Sequence, residues 1–205
     1  MKKYNLAIII AIMLIAFTSC SPKEEFHVYL CLGQSNMEGN AKFEAQDTVS
    51  VDPRFVVLQV VDCPDLHREK GKWYTAVPPL ARCYTGLTPP DYFGRTMVAN
   101  LPSHIKVGVI NVAVGGCKIE LFDKDNYQSY IAESPDWLKN MADEYDGNPY
   151  GKLVEMARIA QKDGGIIKGI LIHQGESNTG DTDWPQKVKK VYDKLLCILN
   201  ILGIL

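Results

Sequence analysis

The stretch FHVYLCLGQSNMEG, residues 26–39, carries the reading that decides the fold. Its first half, 26–32, is a compact apolar run too short for a core helix. It stops at Gly33, the pattern of a strand buried on both faces. Polar residues follow at once, with Ser35 between Gln34 and Asn36 in a tight turn that leads into a short helix. The same apolar pattern recurs at 55–61, rich in Val and stopped by Asp62 and Pro64. It recurs at 106–114 before Gly115 and Gly116, and at 166–172 before His173, Gln174 and Gly175. Helical patterns separate the runs: 91–101 after a double proline, 135–144 behind Ser134 as a cap, 149–162 ending at Gly164 and Gly165, and one that begins at Trp184 and Pro185. Near-continuous apolar strands alternating with helices predict an α/β fold, a three-layer α/β/α sandwich around a central parallel sheet. Residues 62–90 read as one long loop over the sheet edge.

A length of 205 residues suits one compact domain. The 22 basic and 24 acidic side chains give a formal net charge of −2, and no run of Lys or Arg could track a phosphate backbone, so nucleic acid is not an expected partner. With 46% hydrophobic and 22% charged residues, the composition excludes wholesale disorder and a multi-span membrane protein.

The N-terminus departs from this average. Lys2 and Lys3 precede an apolar run at 6–17, followed by Thr18, Ser19 and Cys20: basic, hydrophobic and small-residue regions in the order of a secretory signal. The run is shorter than the roughly 20 residues that cross a bilayer. The residues before Cys20 resemble a bacterial lipobox, with Phe17 where Leu is usual. The expected organisation is a lipoprotein-type signal at 1–20 with Cys20 as lipid site, a short tether at 21–25 and one domain at 26–205. The protein is then exported, to the periplasm or, anchored through Cys20, to the outer membrane and cell surface.

With Cys20 lipidated, Cys31, Cys63, Cys83, Cys117 and Cys197 remain in a compartment where disulfides form. Cys31 and Cys117 lie in or beside apolar strands and read as small buried hydrophobes. Cys63 and Cys83 sit in polar, proline-rich loops and are the better candidates for a bridge. There is no CxxC pair, and His27, His67, His104 and His173 are scattered, so neither a metal nor another cofactor is expected.

Three polar clusters follow three of the strands at the end where an α/β sheet places its ligands: GQSNMEG at 33–39, VGG at 114–116 and HQGESN at 173–178. Any one of them reads as a turn glycine with a helix cap. Three at one sheet edge favour a site. Ser35, at the head of a helix, suits a nucleophile, with helix capping as the alternative. Gly116 leaves its backbone N–H open to an oxyanion, or is a glycine needed for close packing. Gln174 offers a side-chain amide donor, or a hydrogen bond to a neighbouring loop. Glu176 orients a base or binds a substrate hydroxyl, or caps a helix.

GQSNMEG, NVAVGG at 111–116 and GILIHQGESN at 169–178 together resemble the sialate O-acetylesterase-like branch of the SGNH hydrolases, which includes the acetylxylan esterases of carbohydrate esterase family 6. The resemblance runs in order from about Phe26 to Trp184. It implies a flavodoxin-like α/β/α fold and metal-free removal of acetyl groups from sugars. By the same resemblance Ser35 is the nucleophile, its own N–H, Gly116 and Gln174 form the oxyanion hole, and Glu176 is the motif's acid. The family draws its catalytic His from a late Asp-x-x-His segment, and no His follows His173 here. The apolar residues 195–205 also lose the charge spacing of 187–194. The expectation is an incomplete C-terminus lacking the last strand and helix, and impaired activity. Packing of the apolar tail into the core and a partner interface are the competing explanations. The alternatives in function are a non-catalytic glycan-binding surface lipoprotein and an inactive truncated gene product. The expected partner is an acetylated carbohydrate, with no protein partner.

Overall fold

The computed structural model describes residues 22–201. The expected signal segment and its lipid site at Cys20 lie outside the described residues. Strand β1 (Glu25–Gly33) leads through the short helix α1 (Ser35–Glu38) and α2 (Ala45–Thr48) to β2 (Phe55–Leu58) and β3 (Trp73–Thr75). Helix α3 (Pro89–Asn100) and β4 (Ile105–Ala113) follow, then α4 (Tyr127–Glu133), α5 (Asp136–Asp143), α6 (Pro149–Lys162), β5 (Gly165–His173) and α7 (Trp184–Ile198).

The five strands form one sheet in the order β3-β2-β4-β1-β5. β1 lies parallel to both β4 and β5, and β2 is parallel to β4. Alternation along β1 divides the core between the two faces of the sheet. Val28, Leu30 and Leu32 join Ile110, Val112, Leu153, Met156, Ala157 and Val191 in one cluster. Cys31 points the other way, with Phe55, Val57, Val98, Val107 and Val109. Helix α6 therefore covers one face and α3 the other, the expected three-layer sandwich.

Local chemistry sets the helix starts. Thr88 and Asp91 form a reciprocal capping box at the head of α3, with Pro89 and Pro90 in its first turn, where a missing N–H costs nothing. Asn148 caps α6 by accepting a hydrogen bond from the Gly151 N–H at 2.8 Å. Ser134 is not the cap expected for α5. Its hydroxyl donates back to the Tyr130 carbonyl at 2.7 Å, ending α4, a helix the sequence reading missed.

Three further expectations need correction. The sheet is not wholly parallel, because β3 pairs antiparallel with β2. The stretch 62–90 is therefore not one loop: it holds a 3-10 turn at Pro64–Leu66 and the strand β3 before α3 begins at Pro89. Glu25, the last residue of the expected tether, already pairs with Ile105 in the sheet. The bridge between Cys63 and Cys83 is formed, and Cys31 and Cys117 are buried free thiols. In the apolar tail, Leu195 and Leu199 pack into the larger core cluster and Ile201 packs against it, while Ile198 stays partly exposed.

Candidate active site

Strand register places the three polar clusters side by side. Gly33 at the end of β1 is in register with Ala113 of β4 on one side and with His173 of β5 on the other. The next residues along the chain, Gln34, Val114 and Gln174, therefore leave the sheet along one line at its carboxyl edge. Glycine is required at 33: a Cβ there would stand 2.1 Å from the His173 carbonyl oxygen and 2.7 Å from the Met37 Cβ. The Gln34 N–H donates to the same His173 carbonyl at 3.1 Å, and the Val114 N–H donates to the Gly33 carbonyl at 3.1 Å.

Ser35 is the first residue of α1 and is half-buried. Its hydroxyl and its backbone N–H have no hydrogen-bond partner among the described residues. It does not cap its helix through its side chain, since the cap position belongs to Gln34. Across the edge, a Cβ at Gly115 would lie 3.8 Å from the Ser35 Cβ, so the serine and the VGG turn are neighbours. Gly116 has a φ of +69°, and its N–H likewise has no partner among the described residues. Two unpartnered N–H groups beside a free hydroxyl can stabilise negative charge on an oxygen.

Gln174 is placed differently from the sequence expectation. Its Nε2 donates to the Cys117 carbonyl at 3.2 Å and to Asn178 Oδ1 at 3.0 Å, and its Oε1 accepts the Trp184 indole N–H at 2.7 Å. Both amide hydrogens are committed inside the protein, and the residue is buried. It holds the 173–178 turn in shape, the loop-bonding alternative, and is not aimed at an open site. Gln34 works from the other side: its Oε1 accepts from the Ser177 N–H at 3.2 Å. Asn178 completes the weave, with Oδ1 accepting from the Ile119 N–H at 2.9 Å and Nδ2 donating to Glu120 and Asp181. Burial pushes the Glu120 carboxyl up, but the hydrogen bonds from Lys187 and Asn178 outweigh it and hold the group below its usual value.

Glu176 opens a 3-10 turn and is tied to the serine loop: Asn36 Nδ2 donates to its Oε1 at 2.9 Å. His173 Nε2 lies 3.9 Å from that same oxygen, beyond hydrogen-bond range. No imidazole is hydrogen-bonded to Ser35 among the described residues. His27 stands at the opposite end of β1, bonded to Glu25 at 2.9 Å. No group of three His, Cys, Asp or Glu side chains that could hold a metal ion occurs among the described residues.

Beneath Ser35 lies a charge cluster that sequence reading missed. Arg82, 1% exposed, forms an ion pair with Glu38, three residues past the serine. It also donates to Glu144 Oε1 at 2.6 Å and to the Tyr84 hydroxyl at 2.7 Å. A Cβ at Gly115 would meet Glu38 Oε2 at 2.6 Å, so this pair forms the floor under both donor turns. Arg82 sits in an irregular loop with no periodicity to mark it as buried. The only signal in the sequence was its place one residue before Cys83.

Residues 25–201 match the family described as carbohydrate esterase, sialic acid-specific acetylesterase, and the chain belongs to it. Among solved structures it is similar to a protein from Arabidopsis thaliana, at TM-score 0.62 and 19% identity, over 85% of this chain and 69% of that one. It is similar to a carbohydrate acetylesterase from Xanthomonas citri, at TM-score 0.54 and 20% identity, over 84% of this chain and 39% of that one. It is also similar to NanS, at TM-score 0.57 and 15% identity, over 87% of this chain and 63% of that one. These likenesses show a shared fold, and the chain spans well under two thirds of the Xanthomonas protein's length.

Proposed function

We propose that this chain is a serine esterase of the SGNH type that removes O-acetyl groups from carbohydrate, with Ser35 as nucleophile. The observation that carries the reading is the free Ser35 hydroxyl at a helix head, beside the unpartnered N–H groups of Ser35 and Gly116 at one sheet edge. Membership of an acetylesterase family supports the acetyl group and the sugar. In the reaction Ser35 Oγ attacks the acetyl carbonyl, and its oxygen becomes an anion held by the two N–H donors. Collapse breaks the bond to the sugar oxygen, which leaves as the hydroxyl with the serine proton. Water then attacks the acetyl-serine, releasing acetate and restoring the hydroxyl. Gln174 is a positioning residue for the turn that faces the nucleophile.

A serine hydroxyl is a weak nucleophile near neutral pH, and a positioned base contributes about 10² to 10⁴-fold. With no imidazole bonded to Ser35 among the described residues, turnover is expected to be slow, with donors and binding alone giving roughly 10³ to 10⁴ over water. The same absence favours a second reading, a glycan binder that does not turn its ligand over. Acetate release from acetylated xylan and O-acetyl sialic acid by the chain, beside its Ser35→Ala variant, separates the two. Release that depends on Ser35 supports the esterase, and release unchanged in the variant overturns it. His173→Ala is expected to lose less than about threefold, far short of what a base supplies. Export as a lipoprotein through Cys20 is part of the same proposal, and the Cys63–Cys83 bridge supports an oxidising compartment. Intact mass of the membrane-bound form tests it, since a mature chain starting at Cys20 without acyl mass would contradict the anchor.

A further inference from the structure

Trp137, in the first turn of α5, is 49% exposed. A Cβ built on Gly116 would meet its Cη2 at 2.7 Å and its Cζ3 at 3.3 Å, so the indole lies directly on the oxyanion-donor turn. The left-handed φ of Gly116 and this ring both restrict that position to glycine. The other two tryptophans are anchored by their indole N–H, Trp73 to Asp163 at 3.0 Å and Trp184 to Gln174 at 2.7 Å. Trp137 has no such bond among the described residues, and half of its large apolar surface faces water at the mouth of a candidate site. Two residues before it, Pro135 lines an open groove of about 380 Å³ with Lys118, Glu120, Tyr130, Glu133 and Ser134. An exposed aromatic plane two residues along the chain from a cleft rimmed with ammonium, carboxylate and hydroxyl groups offers the two chemistries a sugar ring needs. Its C–H faces pack on an aromatic ring, and its hydroxyls need polar partners.

We infer that Trp137 is the sugar-stacking platform of this protein: it binds the pyranose ring that carries the ester and so selects acetylated carbohydrate over other acetyl esters. This rests on the proposed carbohydrate esterase reading. Its test is kept separate by measuring binding in a Ser35→Ala background, where no turnover occurs. The probes are acetylated xylo-oligosaccharides in one arm and O-acetyl sialic acid in the other, which distinguish a neutral from an acidic sugar. Calorimetry is expected to show saturable binding of at least one of them. Trp137→Ala should weaken it at least tenfold, while Trp137→Phe, which keeps an aromatic plane, should stay within about threefold. In the Trp137→Phe protein the ligand-induced change in tryptophan fluorescence should vanish although binding persists, a signature that a merely structural role would not produce.

Equal binding by the Trp137→Ala protein, loss in both variants alike, or no binding of either probe by the parent overturns the inference. Release of acetate that needs Ser35, together with binding indifferent to Trp137, sinks this inference and leaves the esterase reading standing. Binding that needs Trp137, without acetate release that needs Ser35, does the reverse.

Discussion

Asn36 and Glu176, 140 residues apart in sequence, are joined by a hydrogen bond of 2.9 Å that ties the turn after β1 to the turn after β5. The same Glu176 oxygen is 3.9 Å from His173 Nε2, so the amide, and not the imidazole, holds this carboxylate. The bond needs only an acceptor oxygen, which glutamine also offers. Glu176→Gln should therefore keep ester turnover within about threefold of the parent, whereas Glu176→Ala frees Asn36 beside the nucleophile and should lower it about tenfold, roughly 1.4 kcal/mol. Rates for both variants, with circular dichroism to confirm folding, check this. A tenfold loss in Glu176→Gln would assign the carboxylate's charge, and not its bond, to the reaction.

Most of the sheet could be read from the sequence because its strands are buried on both faces and appear as short unbroken apolar runs. β1, β4 and β5 fall within a residue or two of the apolar runs, and α6 matches its periodic segment end to end. β3 was not legible: Trp73–Thr75 is three residues at a sheet edge, partly exposed, with no run to mark it. The shared position of Ser35 and the VGG turn was legible because a strand stop followed by polar residues marks the carboxyl edge. The internal bonds of the Gln174 amide were not legible, because the sequence shows that an amide is present but not where it points. Trp137 gave no signal and Arg82 only its place beside Cys83, since each acquires its role from a neighbour distant in sequence, Gly116 in one case and Glu38 in the other.

Asp91 should leave a mark on stability against pH. It is fully buried at the head of α3, and its pKa is raised from the ordinary 3.8 to about 6, chiefly because burial disfavours the charge, although hydrogen bonds from Thr88 pull the other way. A folded-state value above the unfolded one means that the folded chain retains this proton between about pH 4 and 6. The contribution is favourable below that window and is lost as pH rises through 6, by on the order of 3 kcal/mol. Asp91→Asn keeps an acceptor for Thr88 and cannot ionise. Its melting temperature relative to the parent should climb between pH 4.5 and 7.5. A difference that stays flat across that range would show that Asp91 is not protonated in the folded state.

The Cys63–Cys83 bridge closes a loop with a sequence separation of 20 and stands immediately beside Arg82. Loop-closure entropy of that size amounts to about 3 kcal/mol. The Cys63→Ser, Cys83→Ser double variant should lose about that much in urea denaturation and become insensitive to dithiothreitol, while the parent loses the same amount when reduced. Ester turnover should fall with it, because the loop that holds Arg82 beneath the nucleophile is released. A reduced parent as stable as the oxidised one would remove the bridge from the stability of the fold.

Arg82 joins that loop to the candidate site, and its removal should be felt in both. The guanidinium is shut away from water, paired with Glu38, bonded to Glu144 at 2.6 Å and stacked 5.1 Å from the Tyr84 ring centroid. Arg82→Met keeps much of the apolar stem but strands the Glu38 carboxylate in a buried position. Leaving one member of a buried pair uncompensated costs about 3–5 kcal/mol, whereas replacing both members by neutral groups is often tolerated. The single variant should thus unfold at markedly lower urea, and adding Glu38→Gln should restore at least about 1–2 kcal/mol. The double variant should still turn over ester poorly, because Glu38 Oε2 sits where a Gly115 side chain would be and the floor under the two donor turns changes shape. Denaturation midpoints for the parent, both single variants and the double form a closed cycle that isolates the coupling of the pair. A cycle that sums to zero would mean that the two charges do not depend on each other, and the floor beneath Ser35 would then need another explanation.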